Sequence, residues 1–184
     1  MDIISLELDG PVLIRPQIFT DERGHFFESF NSQVFNNLIA KDINFVQDNE
    51  SVSRKGTLRG LHFQEAPMAQ GKLVRVTEGE VFDVVVDIRK ESETFGSWIS
   101  VELSDQNKNQ LWVPPGFAHG FLALSDVVKV QYKTTQFYSR EHERTIRWND
   151  SVLGINWPKG HSMYLSEKDE NAPNLNDALV HSGY

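Results

Sequence analysis

Two histidines set in glycine-rich apolar runs are the side chains best suited to chemistry in this chain. His62 lies in GTLRGLHFQEAPMAQGK, between Gly56 and Lys72, with Arg59 and Lys72 close by in sequence. His119 lies in LWVPPGFAHGF, from Leu111 to Phe121, just after a Pro-Pro-Gly corner. Each run offers isolated polar groups from a stretch that otherwise reads as core, so the two runs are expected to face one pocket. Histidine is the side chain whose ordinary pKa lies closest to neutrality, which suits a base that takes a proton from carbon.

The strands that carry these residues must point them the right way. Side chains two apart on a strand share a face. In VVKVQYKT this groups Val128, Val130, Tyr132 and Thr134, so Tyr132 points inward with its hydroxyl at a rim. The same parity places His62 with Leu58 and Gln64 and puts Arg59 opposite, unless Gly60 makes a bulge. A site shared by Arg59 and His62 therefore predicts that bulge.

The rest of the chain supplies the frame. Ile4, Leu6, Leu8, Val12 and Ile14 alternate as pairing strands, a turn falls at Asp21 to Gly24, and His25 to Phe30 reads as a short strand with three phenylalanines. Asn31 and Ser32 are placed to cap a helix in VFNNLIAK whose buried face would carry Val34, Phe35, Leu38 and Ile39. From Val46 onward short strands recur between Gly, Pro, Asn and Ser turns, the pattern of an all-β antiparallel barrel or two-sheet sandwich. SEKDENAPNLNDAL near the end reads as a capped turn and one short helix.

Composition narrows the function classes. At 184 residues the chain suits one domain with a continuous core. With Cys 0, disulfides, thiolate nucleophiles and Cys-ligated zinc are excluded. The net charge of -8 argues against a general binder of nucleic acid or anionic membrane, so an anionic ligand would need a local basic cluster. The opening MDIISLELDG lacks the features of a signal peptide, and no stretch is apolar enough to span a bilayer, so a cytoplasmic protein is expected.

Gly56, His62 and Gln64, followed by Pro114, Gly116 and His119, resemble the two signature motifs of the cupin superfamily of small jelly-roll barrels. A metal-binding cupin has a second histidine where Gln64 stands and a glutamate near Met68 and Ala69. The histidines left over hold a divalent metal poorly, so no metal site is expected. The resemblance tightens along the runs DERGHFFESF, FVQDNES, GTLRGLHFQ, QGKLVRV, GEVFDVVVDIRKESETFGSW, QLWVPPGFAHGF, YKTTQFYS, IRWND and GINWP. These look like the dTDP-4-dehydrorhamnose 3,5-epimerase family, from about Val12 to the segment ending at Leu179.

That resemblance implies a cupin-type jelly roll with a few short peripheral helices, one domain over residues 1–184, and a homodimer that exchanges N-terminal strands. Its substrate would be a dTDP-linked 4-keto-6-deoxy sugar inverted at carbons 3 and 5, with no cofactor. Such inversion requires a base, an acid on the other face, and a positive partner for the enolate oxygen. The family pattern assigns these to His62, Tyr132 and Lys72, with Asp169 of SEKDE supporting the base; local sequence alone reads Asp169 as a helix cap or solvated turn. By the same match Arg23, Arg59 and Lys168 meet the phosphates, Gln47, Asn49, Glu28, His119 and Glu143 line the site, and Phe26 and Tyr138 are placed to stack on thymine. Arg23, Phe26 and Glu28 would complete the partner subunit's pocket. Three rivals stay open: an epimerase acting at only one of the two carbons, a metal-dependent cupin, and a sugar-binding cupin with no need of a base and acid pair.

Overall fold

The computed structural model describes residues 1–160 and 162–178; Leu179, the end of the matched segment, lies outside them. In chain order the strands are β1 (Asp2–Ser5), β2 (Val12–Arg15), β3 (Phe19–Asp21), β4 (Gly24–Phe26), β5 (Gln47–Arg54), β6 (Leu58–Gln64) and β7 (Lys72–Glu78). Then follow β8 (Glu80–Asp87), β9 (Trp98–Ser104), β10 (Gln110–Val113), β11 (Phe117–Ala123), β12 (Val127–Thr134) and β13 (Glu143–Thr145). The helices are α1 (Ser32–Leu38), α2 (Glu167–Glu170) and α3 (Leu175–Ala178). A six-stranded sheet runs β1-β2-β10-β7-β12-β5, a five-stranded sheet runs β13-β6-β11-β8-β9, and β3 pairs with β4 in a separate hairpin. The named strand pairings are antiparallel, and the two sheets form a cupin-type jelly roll. No described helix is long and apolar enough to cross a membrane.

Alternation decides which residues meet between the sheets. Val74, Val76, Val81, Val85, Leu103, Leu111, Phe121, Val128 and Val130 form the inner core. Phe63, Val84, Val86, Ala118 and Leu122 face the other side of the five-stranded sheet. There the C-terminal segment covers them with Ile146, Leu153, Trp157 and Leu175. The outer face of the six-stranded sheet is partly covered by α1, whose Phe35 packs edge-on against Trp112 at 5.1 Å beside Phe45 and Phe30.

The helix starts as expected: the Asn31 side chain accepts a hydrogen bond from the Val34 amide. Its buried face is narrower than the 3.6-residue period suggested. Phe35 is buried and Ile39 packs against the same cluster, but Leu38 points to solvent. The His25–Phe30 strand is shorter than expected, because pairing to β3 stops at Phe26 and Phe30 turns away to join the aromatic cluster on α1. The C-terminal stretch forms two short helices rather than one, interrupted before Leu175, whose amide donates to Asp150 Oδ2 at 2.7 Å.

Candidate active site

The cleft opens between the two sheets. The six-stranded sheet contributes Gln47, Asn49 and Ser51 from β5, Lys72 from β7 and Tyr132 from β12. The five-stranded sheet contributes Arg59 and His62 from β6, His119 and Phe121 from β11, and Glu143 from β13, while Lys168 comes from α2. Two adjoining lobes, of about 220 and 160 Å3, share His62, Lys72, Tyr132 and Glu143.

The predicted bulge is present. His62 pairs with His119 and Arg59 pairs with Phe121, so one extra residue of β6 is accommodated between them. Gly60 is the residue that permits it. Its φ is +120°, and a Cβ there would lie 2.6 Å from Gly120 Cα and 2.8 Å from the His119 carbonyl oxygen. Beyond the bulge the parity resets: Leu58 goes to the outer core rather than sharing the His62 face, and Arg59 joins His62 in the cleft.

His62 keeps about a quarter of its side chain exposed, and its Nε2 lies 2.5 Å from Asp169 Oδ1. Asp169 is buried in the first turn of α2. Ser166 Oγ donates to its Oδ2 at 2.7 Å, and the Asp169 amide donates back to Ser166 Oγ at 3.2 Å. The local-sequence reading and the site reading of Asp169 thus hold together: the capping contact locks the helix start and aims the other carboxylate oxygen at His62. Burial raises the Asp169 pKa, but the hydrogen bond and charge of His62, with Ser166 and Lys168, outweigh it and leave the carboxyl below its ordinary value. An ionised carboxylate only accepts, so Nε2 carries the proton and Nδ1 keeps a free lone pair. Burial is also the largest influence on His62 and pulls its pKa down against the opposing pull of Asp169. The imidazole is therefore neutral near pH 7, with Nδ1 open to accept a proton.

Lys72 enters from the opposite sheet and its Nζ donates to the His62 carbonyl oxygen at 3.2 Å. Burial pushes its pKa down to about 8, held there by the carboxylates of Asp83 and Glu143 against the charge of Lys168. Tyr132 faces inward as parity required, and burial raises its pKa, with Glu143 adding and Arg59 opposing. The phenol stays protonated and able to give a proton.

At the mouth, Glu143 accepts from Lys168 Nζ at 2.8 Å and from the Tyr138 hydroxyl at 3.1 Å. Burial raises the Glu143 pKa, yet Lys168, His62 and Tyr138 together bring it below the ordinary value. Gln47 accepts from the Tyr138 amide at 3.1 Å and donates to Asn49 at 2.8 Å, holding a half-exposed tyrosine ring over the opening. Arg59 is steadied by Ser53 Oγ at 3.1 Å and the Val52 carbonyl at 3.2 Å, leaving its guanidinium exposed at the rim.

Eleven of the residues singled out from sequence converge here: His62, Tyr132, Asp169, Lys72, Gln47, Asn49, Arg59, His119, Tyr138, Glu143 and Lys168. Three do not. Arg23 and Phe26 sit on the β3–β4 hairpin and Glu28 just beyond it, all exposed. Arg23 is paired with Asp21 at 2.6 Å, and Glu28 accepts from Asn31. The sequence reading also passed over Asp83, whose buried carboxylate holds His119. Its signal was a charge on an apolar strand, in phase with Val81 and Val85. Gln64, another residue without an assigned role, ties the Met68 and Phe137 carbonyls and the Ser139 amide together behind the cleft.

A jelly roll whose cavity sets an imidazole–carboxylate pair, a buried ammonium and a phenol around one space defines a cupin-type isomerase, built to move protons beside a carbonyl. The family model described as dTDP-4-dehydrorhamnose 3,5-epimerase matches residues 5–177. The enzyme of that name from Salmonella typhimurium strain LT2 is 53% identical over 180 residues, covering 98% of each chain. The dTDP-6-deoxy-D-glucose-3,5-epimerase of Legionella pneumophila Philadelphia 1, in complex with dTDP-4-keto-L-rhamnose, superposes with a TM-score of 0.93 at 50% identity. The match covers 95% of this chain and 93% of that one. More distant is the 3'-monoepimerase ChmJ of Streptomyces bikiniensis in complex with dTDP-quinovose, with a TM-score of 0.90 at 34% identity, covering 95% and 87%. The chain belongs to the dTDP-4-dehydrorhamnose 3,5-epimerase family.

Proposed function

We propose that the protein inverts carbons 3 and 5 of dTDP-4-keto-6-deoxy-D-glucose to give dTDP-4-keto-L-rhamnose. The observation that carries this reading is the placement of the His62–Asp169 pair, Lys72 and Tyr132 around one cavity. Neutral His62 takes the proton from the carbon next to the ketone, and Asp169 steadies the imidazolium that forms. The carbon–hydrogen electron pair moves into the ring, and the negative charge that reaches the ketone oxygen is met by the Lys72 ammonium. Tyr132 then delivers its hydroxyl proton to the opposite face of the same carbon. His62 ends protonated and Tyr132 ionised, so solvent must return a proton to the phenolate and take one from the imidazolium before the second carbon reacts. Arg59 and Lys168 are placed for the diphosphate, and Tyr138 for the thymine ring.

The reading includes a homodimer. Its support is the hairpin, which presents exposed Arg23, Phe26 and Glu28 with no task in their own cleft, as expected for residues that serve a partner's site. It also includes a single domain over residues 1–184 with exchanged N-terminal strands, and a cytoplasmic location in keeping with the acidic, cysteine-free composition.

Turnover of dTDP-4-keto-6-deoxy-D-glucose in deuterated water tests the chemistry. Deuterium is expected at carbons 3 and 5. Label at one carbon would move the protein to the single-site epimerases, and no label would overturn the assignment. Tyr132→Phe is expected to exchange carbon-bound hydrogen through His62 while losing inversion; normal inversion would remove Tyr132 from its role.

A further inference from the structure

His62–Asp169 is not the only imidazole–carboxylate pair in the cleft. His119 Nε2 lies 2.8 Å from Asp83 Oδ1 and 3.0 Å from Oδ2, so the ring nitrogen sits across both oxygens of one carboxylate. The His119 side chain is 9% exposed and that of Asp83 is 0% exposed. Asp83 stands at the middle of β8, on the inner face, with the apolar Val81 and Val85 as its nearest neighbours on that face of the strand. A carboxylate in such surroundings costs stability unless opposite charge and hydrogen bonds compensate it. Its presence therefore asks for a reason beyond packing.

Two consequences follow from the position. Because a carboxylate only accepts, Nε2 of His119 carries a proton, so the neutral ring is the Nε2–H tautomer, and Nδ1 takes no hydrogen bond from any described residue. His119 also lines the cavity, so the lone pair at Nδ1 is kept for what enters there. The second consequence concerns Lys72, the cation that faces the same interior from β7. The ionisable and charged groups around Lys72 are Arg59 and His62 on β6, Asp83 on β8, His119 on β11, Tyr132 on β12, Glu143 on β13, and Lys168 and Asp169 on α2. Of the carboxylates, Asp169 is taken by His62, and Glu143 by Lys168 and Tyr138. Asp83 is buried on the inner face of β8 and bonded to His119.

We propose that Asp83 is a positioning residue of the active site: it fixes the tautomer and orientation of His119 as an acceptor for a sugar hydroxyl and supplies the buried counter-charge that keeps Lys72 an ammonium during turnover. The second half rests on the proton-transfer reading given above, and the first half does not. Lys72 bears this out electrostatically, since Asp83 is the foremost group opposing the effect of burial on its titration.

The test uses Asp83→Asn, which keeps the shape and removes the charge. The expected result is a loss of about 10- to 100-fold in kcat, as for other residues that orient a reacting group through a second one. The alkaline limb of the pH–rate profile should move to lower pH, because Lys72 would lose its proton earlier. Affinity for dTDP alone, measured by calorimetry, should stay within about threefold, since the groups placed for the nucleotide are untouched. An unshifted alkaline limb or a kcat within about twofold of wild type would overturn the proposal. Nitrogen NMR of the wild-type protein needs neither the variant nor turnover: in the neutral form of the His119 ring, Nε2 should carry the proton and Nδ1 should be bare. A neutral ring protonated at Nδ1 instead would refute the orienting role even if the variant failed to fold. A wild-type protein with the expected ring signals but no epimerase activity would count against the catalytic reading and leave the His119 assignment standing.

Discussion

Replacing Asp169 by Asn tests the unit on which the chemistry depends. The side chain keeps its size and can still meet Ser166, but the 2.5 Å contact to His62 loses its charge. A hydrogen bond to a charged partner contributes about 1.5–3 kcal/mol, and that contribution matters most when His62 becomes an imidazolium. At about 1.4 kcal/mol per tenfold, this is a loss of about 10- to 150-fold in kcat. The amide adds a second fault, because its NH2 turned toward Nε2 would drive the ring proton to Nδ1, so the expected fall is about 10² to 10³. The pH dependence has a sign that separates causes. Asp169 raises the His62 pKa against the pull of burial, so its removal lets His62 stay unprotonated to lower pH and the acid limb of kcat/KM moves down. Stability gives a second sign. The lowered pKa of Asp169 stabilises the fold above its unfolded value near 4, and that contribution is lost as pH falls through the folded value. The melting-temperature gap between wild type and variant should therefore close below about pH 4. The assay is initial-rate epimerisation from pH 5 to 9 with calorimetric melting alongside. A variant that keeps more than about a third of wild-type kcat, or whose acid limb moves up, would refute the reasoning.

Lys72→Met should trade activity for stability. The pKa falls from 10.5 to about 8, so the buried charge costs stability below pH 8 and the cost fades as pH rises to 10.5. Discounted for the solvent that the partly exposed chain still meets, removing it should give about 1–2 kcal/mol at pH 7, or a rise of about 2–8 °C in Tm, with kcat down about 10² to 10³. A lower Tm or near-normal turnover would contradict this. The same titration makes wild-type turnover decline above about pH 8. Gly60→Ala would press a methyl group onto Gly120 and the His119 carbonyl at a φ few side chains adopt. It should cost about 2–4 kcal/mol in thermal denaturation and separate Arg59 from His62; an unchanged Tm would show that the bulge is not so tight.

The inward aim of Tyr132 was legible in the sequence because strand parity is a two-residue rule that needs no partner. The Gly60 bulge was legible only as a condition, since nothing local says whether Arg59 and His62 must share a side. Pairing to β11 decided it, by setting two residues of β6, Gly60 and Leu61, against one of β11, Gly120. Leu38 and the end of the HFFESF strand were misjudged for one reason: a periodic pattern tells that a face exists, not how wide a neighbour will cover it. Trp112 and Phe45 offer room for Phe35 and Phe30 but not for Leu38.

Composition, strand spacing and the long family-like runs by themselves determined an all-β roll and the identities of most groups in its cleft. Tertiary structure alone decided what those groups are chemically. Asp169, read locally as a cap, became the partner of a histidine 107 positions away. Lys72, which local sequence would leave on the surface, became a cation whose pKa burial pushes down to about 8 against the upward pull of the Asp83 and Glu143 carboxylates. Asp83 acquired a role only when β8 was laid beside β11. The physical reason is common to all three: desolvation and charge–charge coupling depend on distances through space inside a low-dielectric interior, and a linear sequence specifies residue types without specifying those distances.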